Sequence, residues 1–97
     1  MVVAIAVVEL HIPAARGLKE KRKVIKSLID RLARRYRVSI AETGHHELHQ
    51  RSEIGLALVG SDRAHLDRSM DRIRQVFETV PDAEVIRWDQ DLVEEGA

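Results

Sequence analysis

Residues 2–12 form an almost unbroken apolar run rich in Val and Ile, which predicts a strand closed by Pro13. After the linker Pro13-Ala14-Ala15-Arg16-Gly17 the spacing turns helical. Val24, Ile25, Leu28, Ile29, Leu32, Ala33 and Tyr36 fall on one stripe, predicting a helix over residues 18–36. Residues 37–43 read as a short strand broken at Gly44, residues 45–50 as a polar loop, and residues 51–59 as a second apolar strand ended by Gly60. Ser61 is the predicted N-cap of a helix that runs to about Thr79 and places Leu66, Met70, Ile73, Phe77 and Val80 on one side. Pro81-Asp82 marks a turn before a last strand over residues 83–89. The pattern gives a single domain over residues 1–90, with residues 91–97 as an acidic tail that is expected to be loosely held.

The order β-α-β-β-α-β is the α+β, ferredoxin-like split motif. Right-handed crossovers place the first and third strands at the centre of a four-stranded antiparallel sheet, with two helices on one face. Strand parity then divides the sheet residues. The bulkier sets are Val3, Ile5 and Val7, Val38 and Ile40, and Ile54, Leu56 and Leu58; these are assigned to the helix-facing core. The smaller sets, among them Ala4, Ala6, Val8, Ala41, Ala57 and Val59, are assigned to the face left open by the helices. An open face that apolar and that poor in charge invites a second copy of the chain, so a homodimer is expected.

Composition narrows the class. Ninety-seven residues with 44% hydrophobic and 33% charged residues suit one globular domain. The absence of cysteine excludes disulfides and thiolate chemistry. The apolar N-terminus lacks a basic flank and stops at Glu9, so neither a signal peptide nor a membrane span is predicted, and a cytoplasmic protein is expected. The chain has no Asn and twelve Arg to four Lys, a composition with a thermophile tendency.

The charge changes the picture most. Sixteen basic and sixteen acidic side chains cancel to a net charge of zero, yet residues 16–37 hold ten bases against Glu20 and Asp30. Residues 78–97 hold seven acids and one base, Arg87. On a helical wheel Lys19, Arg22, Lys23, Lys26 and Arg34 lie opposite the apolar stripe, flanked by Arg31 and Arg35. Such an array tracks phosphates. A solvated face balanced by the acidic tail or by the second helix is the simpler alternative. The second helix has a mixed field, with Arg68 and Arg72 among Asp67, Asp71 and Glu78, and is assigned no role. One Phe, one Tyr and one Trp, none on the first or third strand, argue against a base-stacking sheet.

His45-His46-Glu47-Leu48-His49, with Glu42 nearby, is the one stretch with metal-ligand chemistry. Its spacing is not that of a helical zinc motif, adjacent histidines in a turn diverge, and a surface loop is the expectation. No Gly-rich phosphate loop and no nucleophile arrangement is found, so no catalytic residue, metal or cofactor is assigned.

Leu18-Lys19-Glu20-Lys21-Arg22, Val38-Ser39-Ile40-Ala41-Glu42, Gln50-Arg51 and Ile54-Gly55 together resemble the YlxP-like family of small bacterial proteins. The resemblance covers nearly the whole chain and implies a ferredoxin-like fold. Genes of that family often lie beside genes of translation initiation and ribosome maturation, which implies an RNA or ribosome connection. Where the family loop usually carries an Asp and a Leu-Trp before Gln-Arg, this chain has Glu47, Leu48 and His49. Glu42, Gln50 and Arg51 read as structural, with Arg51 tying the loop to Glu42. The functional alternative joins them to Lys19, Lys21 and Arg22 as one recognition edge.

The sequence thus reads as a non-enzymatic, dimeric module that binds RNA or a ribonucleoprotein through its first helix. The alternatives are a module for an acidic protein partner and a metal-dependent hydrolase using the 45–49 loop.

Overall fold

A computed structural model describes residues 1–96. Its elements are β1 (Val2–His11), α1 (Leu18–Arg35), β2 (Ser39–Gly44), β3 (Arg51–Gly60), α2 (Arg63–Thr79) and β4 (Glu84–Glu94). The strands form one antiparallel sheet in the order β2-β3-β1-β4, with both helices on one side. This is the expected ferredoxin-like topology, with β1 and β3 central. Among the described residues no helix is long and apolar enough to cross a membrane.

Each helix starts and faces as its sequence dictates. In α1 the buried stripe is Lys21, Ile25, Leu28 and Leu32, at spacings of four, three and four. The expected apolar stripe holds at Ile25, Leu28 and Leu32, with Val24, Ile29 and Tyr36 half-buried and Ala33 exposed, and it begins one turn earlier, on a lysine. Helix α2 buries Leu66, Met70, Ile73, Val76 and Phe77. Its N-cap is Asp62 rather than Ser61: the Asp62 carboxylate accepts the Ala64 amide at 3.1 Å.

The parity of β1 is opposite to the expectation. Ala4, Ala6 and Val8 are buried under the helices, while Ile5 and Val7 are each 42% exposed on the open face. The register supplies the reason. Ala4, Ala6 and Val8 pair with Leu58, Leu56 and Ile54 of β3, so small residues in one strand sit beside large ones in the next and the layer keeps its volume. On the open face the order is reversed, with Ile5 beside Ala57 and Val7 beside Gly55. The strand's far half carries the deciding signal, since Leu10 and Ile12 continue the buried set while Glu9 and His11 continue the other. Three residues of the expected dimer face, Ala4, Ala6 and Val8, are therefore core residues. Ala41, Ala57 and Val59 do lie on the open face, where Val3, Ile5, Val7 and Val93 join them.

The chain's end is also more ordered than its charge predicts. Strand β4 runs on through the acids to Glu94, paired with β1 from Val2↔Glu94 to His11↔Glu84. Met1 and Glu95 close the ladder with reciprocal bonds, Glu95 N–H to Met1 O at 2.8 Å and the Met1 ammonium to Glu95 O at 2.7 Å. Each backbone group that β1 leaves unpaired on this edge is a site for strand pairing, and that gain outweighs the solubility of Asp89, Asp91 and Glu94. The expected loose tail is, as far as Gly96, sheet and its closing residues.

Candidate nucleic-acid interface

Four of the residues that carry the family resemblance, Lys21, Glu42, Gln50 and Arg51, come together around the β2–β3 loop. Lys21 has no exposed surface, and its ammonium group lies within bonding distance of the carbonyls of His45 (2.7 Å), Arg51 (3.2 Å) and His46 (3.4 Å) and of the Glu42 carboxylate (3.1 Å). Ser52, also buried, donates its hydroxyl to Glu42 at 2.6 Å. Gln50 donates to the carbonyls of Pro13 and Ala15 at 3.2 and 3.3 Å, which anchors the start of the β1–α1 linker. A buried charge needs this degree of pairing, since an unpaired ammonium in the interior is strongly unfavourable. Lys21 thus ties the β2–β3 loop to α1. The sequence reading gave that tie to Arg51, which instead places its guanidinium 3.6 Å from Glu9. With Lys21 and Glu42 turned inward and bonded, and the exposed Gln50 tied to the β1–α1 linker, these residues form a brace rather than a recognition edge.

The brace also shapes the histidine loop. His45 has a φ of 60°, a left-handed conformation uncommon for a residue with a Cβ. Its carbonyl accepts from Lys21 and from the Leu48 amide (3.1 Å), and its ring Nε2 lies 3.2 Å from Glu9. His46 turns to the Glu42 carbonyl at 3.2 Å, and His49 is exposed. Among the described residues no three His, Cys, Asp or Glu side chains come together as metal ligands.

The basic side chains of α1 lie where the wheel places them. Lys19, Arg22, Lys23, Lys26, Arg31, Arg34 and Arg35 are all exposed, and among the described residues none forms an ion pair with a carboxylate. Arg34 does donate to the Asp30 carbonyl at 3.2 Å, an ordinary contact with the helix backbone. Of the nearby acids, Glu20 accepts from the Arg16 amide at 2.9 Å, and Asp30 on α1 and Asp82, which shares a cavity wall with Arg31, pair with none of them; the remaining acids are engaged or distant. Glu84 faces His11, Asp89 pairs with Arg87, and Glu78 pairs with Arg74 at 2.9 Å. Helix α1 packs over β2, whereas β4, with most of the acids of the C-terminal stretch, forms the opposite edge of the sheet. The charge polarity of the chain has become a polarity across the molecule.

The wheel does not show what lies beside this face. Arg31 and Arg35 line a groove whose other wall is α2, and Arg72 of α2 reaches it too. Arg37, just past α1, lines an adjoining cavity with His65. Sequence periodicity treats each helix alone, so it could not join Arg72 to the α1 bases. The added signal was that Arg72 lies one position before Ile73 of the buried stripe, at the border of the packed face.

A four-stranded antiparallel sheet covered on one face by two helices in this order defines a ferredoxin-like α+β domain. Solved structures agree: the de novo designed protein Foldit4 matches with a TM-score of 0.57 at 11% identity over 99% of this chain and 100% of its own. A designed protein with a ferredoxin fold matches with 0.52 at 15% identity over 100% and 88%. A dimeric ferredoxin-like protein from an uncultured marine organism matches with 0.54 at 10% identity over 100% of both chains. Within that fold, residues 3–90 match the family described as protein of unknown function DUF503, and the chain belongs to this family. A relative in Bacillus subtilis strain 168, the uncharacterized protein YlxP, is 34% identical over 70 residues, which cover 72% of this chain and 76% of the relative.

Proposed function

We propose that this protein is a non-enzymatic module that binds RNA, free or in a ribonucleoprotein, through the exposed basic face of α1. The observation that carries this reading is the absence, among the described residues, of carboxylate partners for seven exposed bases on one helix. A merely solvated charged face is normally laced with ion pairs to neighbouring acids, and here Glu20 and Asp30 of α1 pair with none of these bases while most acids of the C-terminal stretch lie on the far edge of the sheet. An uncompensated basic surface repels itself and is relieved by a polyanion, whose condensed counterions are released on binding. Recognition through backbone and shape fits a sheet whose open face carries aliphatic residues and no aromatic platform.

We also propose that the protein acts as a homodimer, joined by its open sheet face. Val59 (66% exposed), Val93, Ile5 and Val7 are the apolar residues of this face, with Asp91 and Asp89 of β4 paired beside Ile5 and Val7. Three long strands and a short one, at ~3.3 Å per residue and ~4.8 Å between strands, give a face of roughly 500–600 Å². Two such faces bury about 1,000–1,200 Å², enough for a specific interface of the smaller class.

The test is the salt dependence of binding to a structured RNA. With about four phosphate contacts, log affinity should fall against log salt with a slope of roughly −3 to −4. Reversing Lys23, Lys26 and Arg34 together to Glu should flatten that slope and weaken binding to all sequences alike, without loss of fold. Failure of the wild type to bind RNA at low salt would refute the reading and assign the face to an acidic protein partner.

A further inference from the structure

We propose, on the footing of the RNA reading above, that the groove between the C-terminal turns of α1 and the middle of α2 is a phosphate-binding site, with Arg31, Arg35, Arg37 and Arg72 as its ligands. Two adjoining cavities form it, of about 600 Å³ and about 390 Å³. Arg35, Tyr36 and Arg72 line both; Arg37 and His65 complete the first and Arg31 the second. Both volumes fall within the ~300–1,000 Å³ range of small-ligand sites.

Three features set the groove apart from the rest of the basic surface. No carboxylate lines either cavity, and among the described residues none of the four arginines has an acidic partner. Four guanidinium groups from two elements and a connecting segment are thus brought to one concave surface without a carboxylate in its lining, the nearest shared wall with an acid being that of Arg31 and Asp82 in a neighbouring cavity, an arrangement that an anion turns from repulsive to attractive. The groove has apolar walls, Leu58 and Leu66 in one cavity and Val76 in the other, which lower the local dielectric and strengthen a charge-assisted bond. Finally, the Arg35 guanidinium stacks over the Tyr36 ring at 5.6 Å from its centroid. Stacking restricts the guanidinium before the ligand arrives, so less side-chain freedom is lost when it engages an anion.

Phosphate is the matching chemistry. Guanidinium forks bind its tetrahedral oxygens in pairs, and the hydroxyl-bearing Tyr36 and Ser69 along the same walls add neutral donors. The phosphate can come from an RNA backbone or from a free phosphate ester. In the first case the groove is the place where the broad field of α1 becomes a defined contact, and α2 takes part in binding through Arg72.

The experiment compares wild type with Arg35→Glu and Arg72→Glu, using Arg68→Glu as a control for net charge because Arg68 is exposed on the same helix and lines neither cavity. Circular dichroism melts establish that each variant folds; Arg72→Ala replaces Arg72→Glu if it does not. Binding of an RNA hairpin is read by fluorescence anisotropy and binding of inorganic pyrophosphate by heteronuclear NMR shifts. Arg72→Glu and Arg35→Glu should each weaken RNA binding about tenfold or more, and Arg68→Glu less than about threefold. Pyrophosphate should shift the amides around Arg35 and Arg72 in the wild type and not in Arg72→Glu. An RNA deficit at Arg72 without pyrophosphate binding assigns the groove to backbone phosphates and supports the site. Pyrophosphate binding that depends on Arg72, in a protein that binds no RNA, upholds the groove as a phosphate-ester site and removes the RNA reading. Equal losses of RNA binding in Arg68→Glu and Arg72→Glu, with pyrophosphate unbound or bound alike by both, overturn the groove and leave the RNA reading standing on α1 alone.

Discussion

Replacing Lys21 with Met should destabilise the protein severely, although it changes one lysine among many bases. Methionine keeps the unbranched stem that lies in the buried stripe of α1, so the hydrophobic packing around Ile25 and Leu28 survives. What is lost is the ammonium and its bonds to three loop carbonyls and to Glu42. The Glu42 carboxylate, only 17% exposed, is left with the Ser52 hydroxyl as its remaining strong partner. Removing one partner of a buried pair costs about 3–5 kcal/mol. That is a large share of the total stability of a domain this size, which is of order 5–15 kcal/mol. At about 4–8 °C per kcal/mol, the melting temperature should drop by roughly 12–40 °C.

Urea unfolding followed by circular dichroism measures the loss directly. Protein concentration must be held fixed, because any dimer would make apparent stability depend on it. The double variant Lys21→Met with Glu42→Gln removes the orphaned charge as well, so the two losses should fall short of additivity by about 1–3 kcal/mol. A loss below about 1 kcal/mol for Lys21→Met, or strict additivity in the double variant, would refute the brace and return Lys21 to the solvated surface. Since Lys21 has no exposed surface, the folded fraction of the variant should bind RNA as the wild type does.

Two further outcomes follow from the sheet and the loop. Light scattering at micromolar concentration should give twice the chain mass, and Ile5→Arg should reduce it to one; a monomeric wild type would remove the dimer, while Ala6→Arg is unsuited to the test because it drives a charge into the core. At His45, whose φ is 60°, Gly should be more stable than Ala by about 1 kcal/mol, read as a melting-point gap of several degrees; an Ala variant equal to Gly would show that the turn relaxes without strain.

The fold was legible because two periodicities alternate cleanly and the turns are marked by Pro13, Gly44, Gly60 and Pro81. The parity of β1 was misread because both of its faces are apolar from Val2 to Val8, so side-chain size was made to decide. In a central strand size is set by the neighbours: Ala4 and Ala6 suffice where Leu56 and Leu58 fill the layer. The polar continuation at Glu9 and His11 was the better guide. The end of β4 is hidden in the sequence because its charges suggest disorder, whereas an edge strand carries Asp89 and Asp91 on its open face while its backbone pairs with β1. Lys21 was legible in retrospect from its place four residues before Ile25, but a lysine at a core position gives no hint of its partners, which come from a loop more than twenty residues away. Arg72 was out of reach for a related reason, since the groove exists only once α1 and α2 are side by side.

The connectivity explains why the charge separation along the chain is not cancelled by folding. Helix α1 carries the chain from β1 past β3 to β2, while α2 carries it from β3 past β1 to β4. The two crossovers therefore run outward to opposite edges of the sheet, and the segments they deliver, basic α1 with β2 and acidic β4, end as far apart across the strands as the fold allows. Within β4, Asp89 and Asp91 share the open face with Val7 and Ile5, on the side of the sheet away from the helices, which separates them further from the bases of α1. In the dimer proposed above, the sheets meet face to face and the helices form the two outer layers. Each protomer's basic face then points away from the other's, so one short RNA duplex meets only one of them. Any gain from two faces needs an RNA long enough to pass around the dimer, or two separate RNA elements held by one ribonucleoprotein.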